Sequence, residues 1–159
     1  MNSSTTLKRP SHHDPNGGFR NPWPTAHSHG QADVIRWQRE RSAKELPPNP
    51  APGALPVAEP RIAYPRASTE ELRITWVGHS TFLLQVGGLN ILTDPQWSHR
   101  ASPVHFAGPA RLAPPGIPWD KLPPIDAVLQ SHDHYDHLDG WTVRQLRKTN
   151  GDRTVWFTP

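Results

Sequence analysis

The chain has no cysteine, which excludes a disulfide framework and any thiolate-ligated metal site. No apolar run approaches the roughly 18–20 residues that cross a bilayer. The first twenty-five residues hold no apolar stretch of the kind a secretory signal needs. Hydrophobic residues are scarce, at 34% with a mean hydropathy of −0.70, too few for an evenly packed globule. No run of basic residues exceeds Lys8-Arg9, so the net charge of +3 reads as a solvated basic tail, and nucleic-acid binding is not expected. These absences lead to the expectation of a soluble, cytoplasmic protein, with peripheral membrane contact the one membrane association left open.

What is abundant is proline. Eleven of the twenty prolines precede residue 70, and the charge divides at the same place. Residues 1–68 hold nine Lys/Arg against five Asp/Glu, whereas residues 69–159 hold eight against nine. The chain is therefore read as a Pro-rich arm or strap with one short helix over 1–68, followed by a folded domain over 69–159. Residues 1–30 should lack regular structure, with Asn21-Pro22-Trp23-Pro24 as their apolar anchor, and their His12, His13, His27 and His29 read as solvated. From Gln31 to Lys44 the pattern predicts a short helix, with Ala32 and Ile35, joined by Val34 and Trp37, on one face. Seven prolines between Leu46 and Pro65 then forbid both helix and central strand.

Regular strand signals begin at Leu72. Leu72–Val77 alternates with β-branched and aromatic residues and reads as a strand, with Thr81–Val86 a second and Leu89–Thr93 a third. Gly87-Gly88 makes a two-residue hairpin turn between the last two. Residues 95–124 are irregular, and a loop of that length is usually functional or clamped down. Ile125–Gln130 reads as a short buried strand, Trp141–Lys148 as a helix with Asp139 at its N-cap, and Thr154–Phe157 as a last strand. Strand, loop, helix, strand is an α/β order.

Ile125–Gln130 delivers the segment His132-Asp133-His134-Tyr135-Asp136-His137 at its C-terminal end. Two histidines separated by one residue in extended backbone point to the same side. Neutral imidazoles so placed form a borderline-soft metal site suited to zinc. Asp136 and His137 follow where the chain turns toward a helix, and face a second position beside the first. Metals held roughly 3.5–4 Å apart share a hydroxide and clamp the oxygens of a displacement at phosphorus or a carbonyl. A chance histidine run or an adventitious metal-binding loop is the competing reading. Two acids within the run and its place at a strand end weigh against it.

Residues 132–137 match the His-x-His-x-Asp-His signature of the metallo-β-lactamase superfamily, which the chain resembles over about residues 72–159. Trp76-Val-Gly-His-Ser-Thr81, Leu92-Thr-Asp-Pro95, Ser98-x-Arg-Ala-Ser-Pro103, Gly108-Pro109 and Leu122-Pro-Pro-Ile-Asp-Ala-Val128 resemble the N-acylphosphatidylethanolamine-hydrolysing phospholipase D group and its bacterial relatives. The resemblance implies an α/β fold, the first half of a metallo-β-lactamase-type αββα sandwich. It implies two zinc ions, with His132 and His134 on the first and Asp136 and His137 on the second. It implies that Asp94 lies near the site and orients it; a plain Asp-Pro turn is the alternative. His79 reads as a hydrogen-bonded core residue supporting the site rather than a ligand. Trp97, Phe106 and Trp119 either line an apolar substrate groove or cap the sandwich.

The implied function is a zinc-dependent phosphodiesterase of phospholipase D type, in which the shared hydroxide attacks the phosphorus of an N-acylphosphatidylethanolamine-like phospholipid. A hydrolase of the same fold acting on another ester, lactone or phosphodiester is the alternative, and a non-catalytic fragment is a third. That third reading arises because no histidine follows His137 and the only later acids are Asp139 and Asp152. Complete members of the family need another His, a bridging Asp and a final His further on. The sequence therefore reads as truncated, with weak metal binding and no turnover expected of these residues alone.

Overall fold

The computed structural model describes residues 10–21, 23, 30–51 and 53–159, so His27 and His29 lie outside the described residues. The chain forms two compact units, Met1–Pro48 and Asn49–Pro159. In the first, α1 spans Gln31–Ser42, as the pattern predicts. Asp33 holds its N-terminus by accepting from Gly30 N at 3.1 Å. No residue of α1 is buried, because Val34 and Ile35 are adjacent rather than a turn apart and so do not build one apolar stripe. Ahead of it, His13 and Phe19 form an antiparallel bridge, with the rings of His12 and His13 4.7 Å apart.

The second unit is built on a five-stranded sheet in the order β1-β2-β3-β4-β5. The strands are β1 (Leu72–Gly78), β2 (Thr81–Val86), β3 (Leu89–Thr93), β4 (Ala127–Leu129) and β5 (Val155–Phe157). The first three form an antiparallel meander, and β3, β4 and β5 run parallel. The predicted hairpin is present: Gly87 and Gly88 have φ of 58° and 75°, the double left-handed turn that matches the twist of paired strands. Helix α2 (Gly140–Asn150) crosses from β4 to β5. Asp139 caps it by accepting from Trp141 N, and Gly151 ends it at φ 64°. It runs two residues beyond the predicted Lys148 because Asn150, one turn past Leu146, is also buried.

The two faces of the sheet differ. On one, Val77, Leu83, Leu92 and Val128 pack with Leu146 of α2 and with Trp97, Ile117 and Ile125 of the connecting segments. The Pro-rich strap docks on the same face through amides rather than strand pairing. Gln85 accepts from Ala63 N at 3.0 Å and donates to Ala63 O at 2.8 Å. Asn90 donates to Pro65 O and Pro124 O, and Arg66 pairs with Asp126. Proline can donate no backbone hydrogen bond, so buried side-chain amides supply the donors its carbonyls need. On the opposite face, the registers align two cross-strand rows: Ile74-Leu84-Ile91-Ala127-Val155 and Trp76-Phe82-Thr93-Leu129-Phe157. Ile74, Trp76, Val155 and Phe157 are exposed. This is half of a metallo-β-lactamase-type sandwich, with its inner sheet face bare among the described residues.

The long segment 95–124 is clamped down. Trp97 Nε1 donates to Ile117 O at 2.9 Å, and Arg100 and Ala110 form a bridge. Trp97, Trp119 and Trp141 contact edge to face, with centroids 5.5 and 5.4 Å apart. Trp97 and Trp119 thus cap the sheet, while Phe106 is exposed and lines neither groove nor core.

Candidate metal centre

Both β1 and β3 run antiparallel to β2, so the C-terminal ends of β1, β3 and β4 lie on one side of the sheet. Open α/β sheets place their ligands there. Each end delivers one part of the site: His79 after β1, Asp94 after β3, and Ser131 to His137 after β4. His79 and Asp94 have φ of 50° and 37°, and are the two non-glycine residues with positive φ among those described. Strained backbone of this kind clusters where surrounding structure imposes it for function. Here Thr81 Oγ1 donates to Asp94 O at 2.7 Å and Thr93 Oγ1 to Ser80 O at 2.7 Å, tying the two turns together.

Asp94 is the hub. Its Oδ1 accepts from Ser131 N at 2.7 Å and Gln130 Nε2 at 3.2 Å. Its Oδ2 accepts from Ser131 Oγ at 2.8 Å and lies 2.8 Å from His137 Nδ1. Burial pushes its carboxyl upward, but His137 and both Ser131 donors together hold it below the ordinary carboxylate value. It is therefore an ionised acceptor, which places the proton of neutral His137 on Nδ1 and leaves Nε2 as the lone-pair nitrogen. The Asp-Pro turn and the orienting contact coexist in the one residue.

Around this hub the histidines converge. His137 N and Leu138 N donate back to His134 O at 2.9 and 2.7 Å, a tight turn that folds the segment over itself. His132 Nε2 lies 3.2 Å from His134 Nδ1, and the His132 and His137 rings are 4.0 Å apart. His79 departs from the expectation of a core residue: its side chain is 51% exposed, with Nε2 2.9 Å from Asp136 Oδ2. It leaves the core because its positive-φ turn projects it beyond the end of β1. His79, Asp136 and His137 each offer a ligand atom, all within 4.8 Å of one another. Burial raises the Asp136 carboxyl, but its own N–H, His137 and His79 outweigh this and leave it lowered.

Asp139 does more than the N-cap that the sequence indicates. Its Oδ2 accepts from Thr142 Oγ1 at 2.6 Å, Ser98 N at 2.9 Å and Trp97 N at 3.2 Å. Its Oδ1 accepts from Ser98 Oγ at 2.8 Å. One carboxylate thus fastens the segment after β3 to the helix after the histidines. The only hint in the sequence was an acid spaced two residues beyond His137.

Residues 89–159 match the family model described as beta-lactamase superfamily domain. Residues 89–159 thus belong to the metallo-β-lactamase superfamily. Over 113 residues, 71% of the chain, it is 46% identical to an uncharacterized protein of Mycobacterium tuberculosis, of which the match covers 29%. Over 92 residues, 58% of the chain, it is 44% identical to the N-acyl-phosphatidylethanolamine-hydrolyzing phospholipase D 1 of Caenorhabditis elegans, covering 26% of that protein. A metal-dependent hydrolase of Anaeromyxobacter sp. is 35% identical over 88 residues, 55% of the chain and 28% of the relative. The chain thus spans less than a third of the length of these superfamily relatives.

Proposed function

We propose that this chain contributes one wall of the metal centre of a hydrolase of phospholipase D type, acting on N-acylphosphatidylethanolamine-like phosphodiesters. The observation that carries the reading is the convergence of His132, His134, Asp136 and His137 on one end of the sheet, with Asp94 behind His137. The donor set fits a pair of zinc ions: neutral imidazoles with a carboxylate, and one imidazole whose remote nitrogen is already held by a second carboxylate. His132 and His134 would hold one ion, and Asp136 and His137 the other. The metals supply Lewis acidity and an activated water for attack at phosphorus. The chain's own residues do the positioning. Asp94 fixes the tautomer and angle of His137, His79 holds Asp136, and Asp139 keeps the Trp97-Ser98 segment against the helix that follows the ligands. The substrate class is supported by the 44% identity to the C. elegans phospholipase. The 35% identity to a relative named only as a metal-dependent hydrolase favours, as second reading, another ester, lactone or phosphodiester.

The test is hydrolysis by the native protein that carries this chain, offered N-acylphosphatidylethanolamine in mixed micelles and water-soluble phosphodiesters, each with and without chelator. Chelator-sensitive release of phosphatidic acid is the expected result. Turnover indifferent to chelator removes the metal mechanism, and turnover confined to soluble substrates removes the lipid.

A further inference from the structure

The cavity beside the candidate ligands has a cationic wall. It measures about 470 Å³ and is lined by His79, His134, Tyr135 and Asp136 on one side and by Arg111 on the other. Arg111 also lines an adjoining apolar groove of about 860 Å³ along β1, so the residue borders both spaces. The guanidinium is held rigidly. Nε donates to Ser98 O at 3.1 Å, and Nη2 donates to both the backbone carbonyl and the side-chain oxygen of Gln96.

That accounts for three of the five N–H groups a guanidinium carries. The two on Nη1 have no partner among the described residues. Nη1 packs against the backbone at Gly78, where a Cβ would lie 2.8 Å from it. Glycine at 78, at φ 144°, therefore leaves room for the cation beside the His79 turn. Neutral acceptors take the other donors, so the charge is poorly compensated. Burial pulls the guanidinium below its ordinary value, and the attraction of Asp139 offsets only part of that. A half-buried cation, locked by three bonds and keeping a pair of donors without a partner at the border of a cavity, is suited to receive an oxyanion.

We propose that Arg111 is the anion anchor of this pocket, its Nη1 edge taking a non-bridging oxygen of a phosphate group next to the metal ligands. The assignment rests on the hydrolase reading for its purpose, but not for its test. Arg111 is a substrate-binding residue in this account. Arg111 also has a structural part, since its Nε and Nη2 brace Ser98 and Gln96.

The two roles separate by titration of the metal-stripped 159-residue chain at mildly alkaline pH, where imidazoles are ordinarily neutral. The probes are inorganic phosphate, glycerophosphoethanolamine, and phosphatidylcholine vesicles with and without phosphatidic acid. The readout is the side-chain N–H resonances of Arg111 in the unaltered chain, which no structural role would shift. A saturable shift with phosphate or the diester is expected, and a shift only with the acidic vesicles assigns the same anchor to a lipid headgroup. Arg111→Gln should weaken that binding by on the order of tenfold or more, with Arg111→Lys recovering part of it. Absence of any saturable shift overturns the anchor, as does affinity in Arg111→Gln equal to that of the unaltered chain. Because metal and turnover are both absent, failure here leaves the hydrolase proposal standing, and loss of chelator-sensitive hydrolysis leaves the anchor standing.

Discussion

Asp94 Oδ2 stands 2.8 Å from His137 Nδ1, and this contact joins the end of β3 to the segment that follows β4. It leaves Nε2 of a neutral His137 as the lone-pair nitrogen, the one that would face an ion in the proposed centre. A ligand histidine without such a partner samples both tautomers and a wider range of ring orientations.

Asp94→Asn is accordingly expected to lower metal affinity by roughly 10–100-fold. Asn keeps the shape but presents either a neutral acceptor or a donor to Nδ1. Competition titration with a zinc indicator measures the change, and circular dichroism checks that the fold survives. Affinity unchanged within twofold would show that His137 needs no orienting carboxylate.

A second expectation concerns acid. Asp94, Asp136 and Asp139 all have folded-state values below the ordinary carboxylate value, in each case because donors or histidines outweigh burial. A carboxyl whose folded value lies below its unfolded one stabilises the fold fully above the unfolded value, about 3.9 for Asp. That contribution is lost as pH falls through the folded value. Stability should therefore be flat above about pH 5 and fall progressively below about pH 4 on account of these groups. Asp139→Asn should cost about 2–3 kcal/mol at neutral pH, because several of its donors lose a charged acceptor, and should flatten the acid limb. Denaturant melts of both chains across pH read this directly; parallel acid limbs would place the acid sensitivity elsewhere.

The first strand was legible from the alternation of Leu72–Val77, and Thr81–Val86 and Leu89–Thr93 as short apolar runs joined by Gly87-Gly88, although which face is buried was not, since Thr81, Gln85 and Asn90 lie on it. The candidate segment His132–His137 could be singled out because its residues are local in sequence. What sequence could not show was anything made by distant residues. Nothing around His79 records that its turn carries it out of the core to Asp136. Nothing around Asp94 distinguishes a bare Asp-Pro turn from one that also receives His137. The helix over 31–42 was readable from its own spacing, but whether Trp37 finds a partner depends on residues elsewhere.

The strap offers a third test. Its docking depends on Asn90, a fully buried side chain whose amide donates to Pro65 O at 2.9 Å and Pro124 O at 2.7 Å and accepts from Gln85. Asn90→Leu leaves two carbonyls and one amide unpaired in the interior, at about 1–3 kcal/mol each where water cannot replace the partner. The strap between Pro60 and Ala67 should detach, becoming sensitive to trypsin at Arg61 and Arg66 while the sheet persists. Protease patterns identical to those of the unaltered chain would mean that the Gln85–Ala63 bonds and the Arg66–Asp126 pair suffice to hold it.

The bare sheet face gives the last. Ile74, Trp76, Val155 and Phe157 are 61%, 63%, 54% and 57% exposed, on one continuous face whose middle is Phe82, Leu84 and Ile91. Monomeric proteins rarely leave an apolar patch of several strands open, so these 159 residues on their own should bind a hydrophobic dye and self-associate. Ile74→Lys with Leu84→Lys places charge on two neighbouring positions of one row, at the edge strand and the strand beside it. Neither side chain belongs to the packed face formed by Leu83, Leu92 and Val128, so the cost to stability should be no more than about 1 kcal/mol. Dye binding should fall severalfold and the sedimentation profile should shift toward monomer. Dye binding undiminished by the two lysines, with the melt unchanged, would show that some other surface takes the dye and that this face is covered in solution.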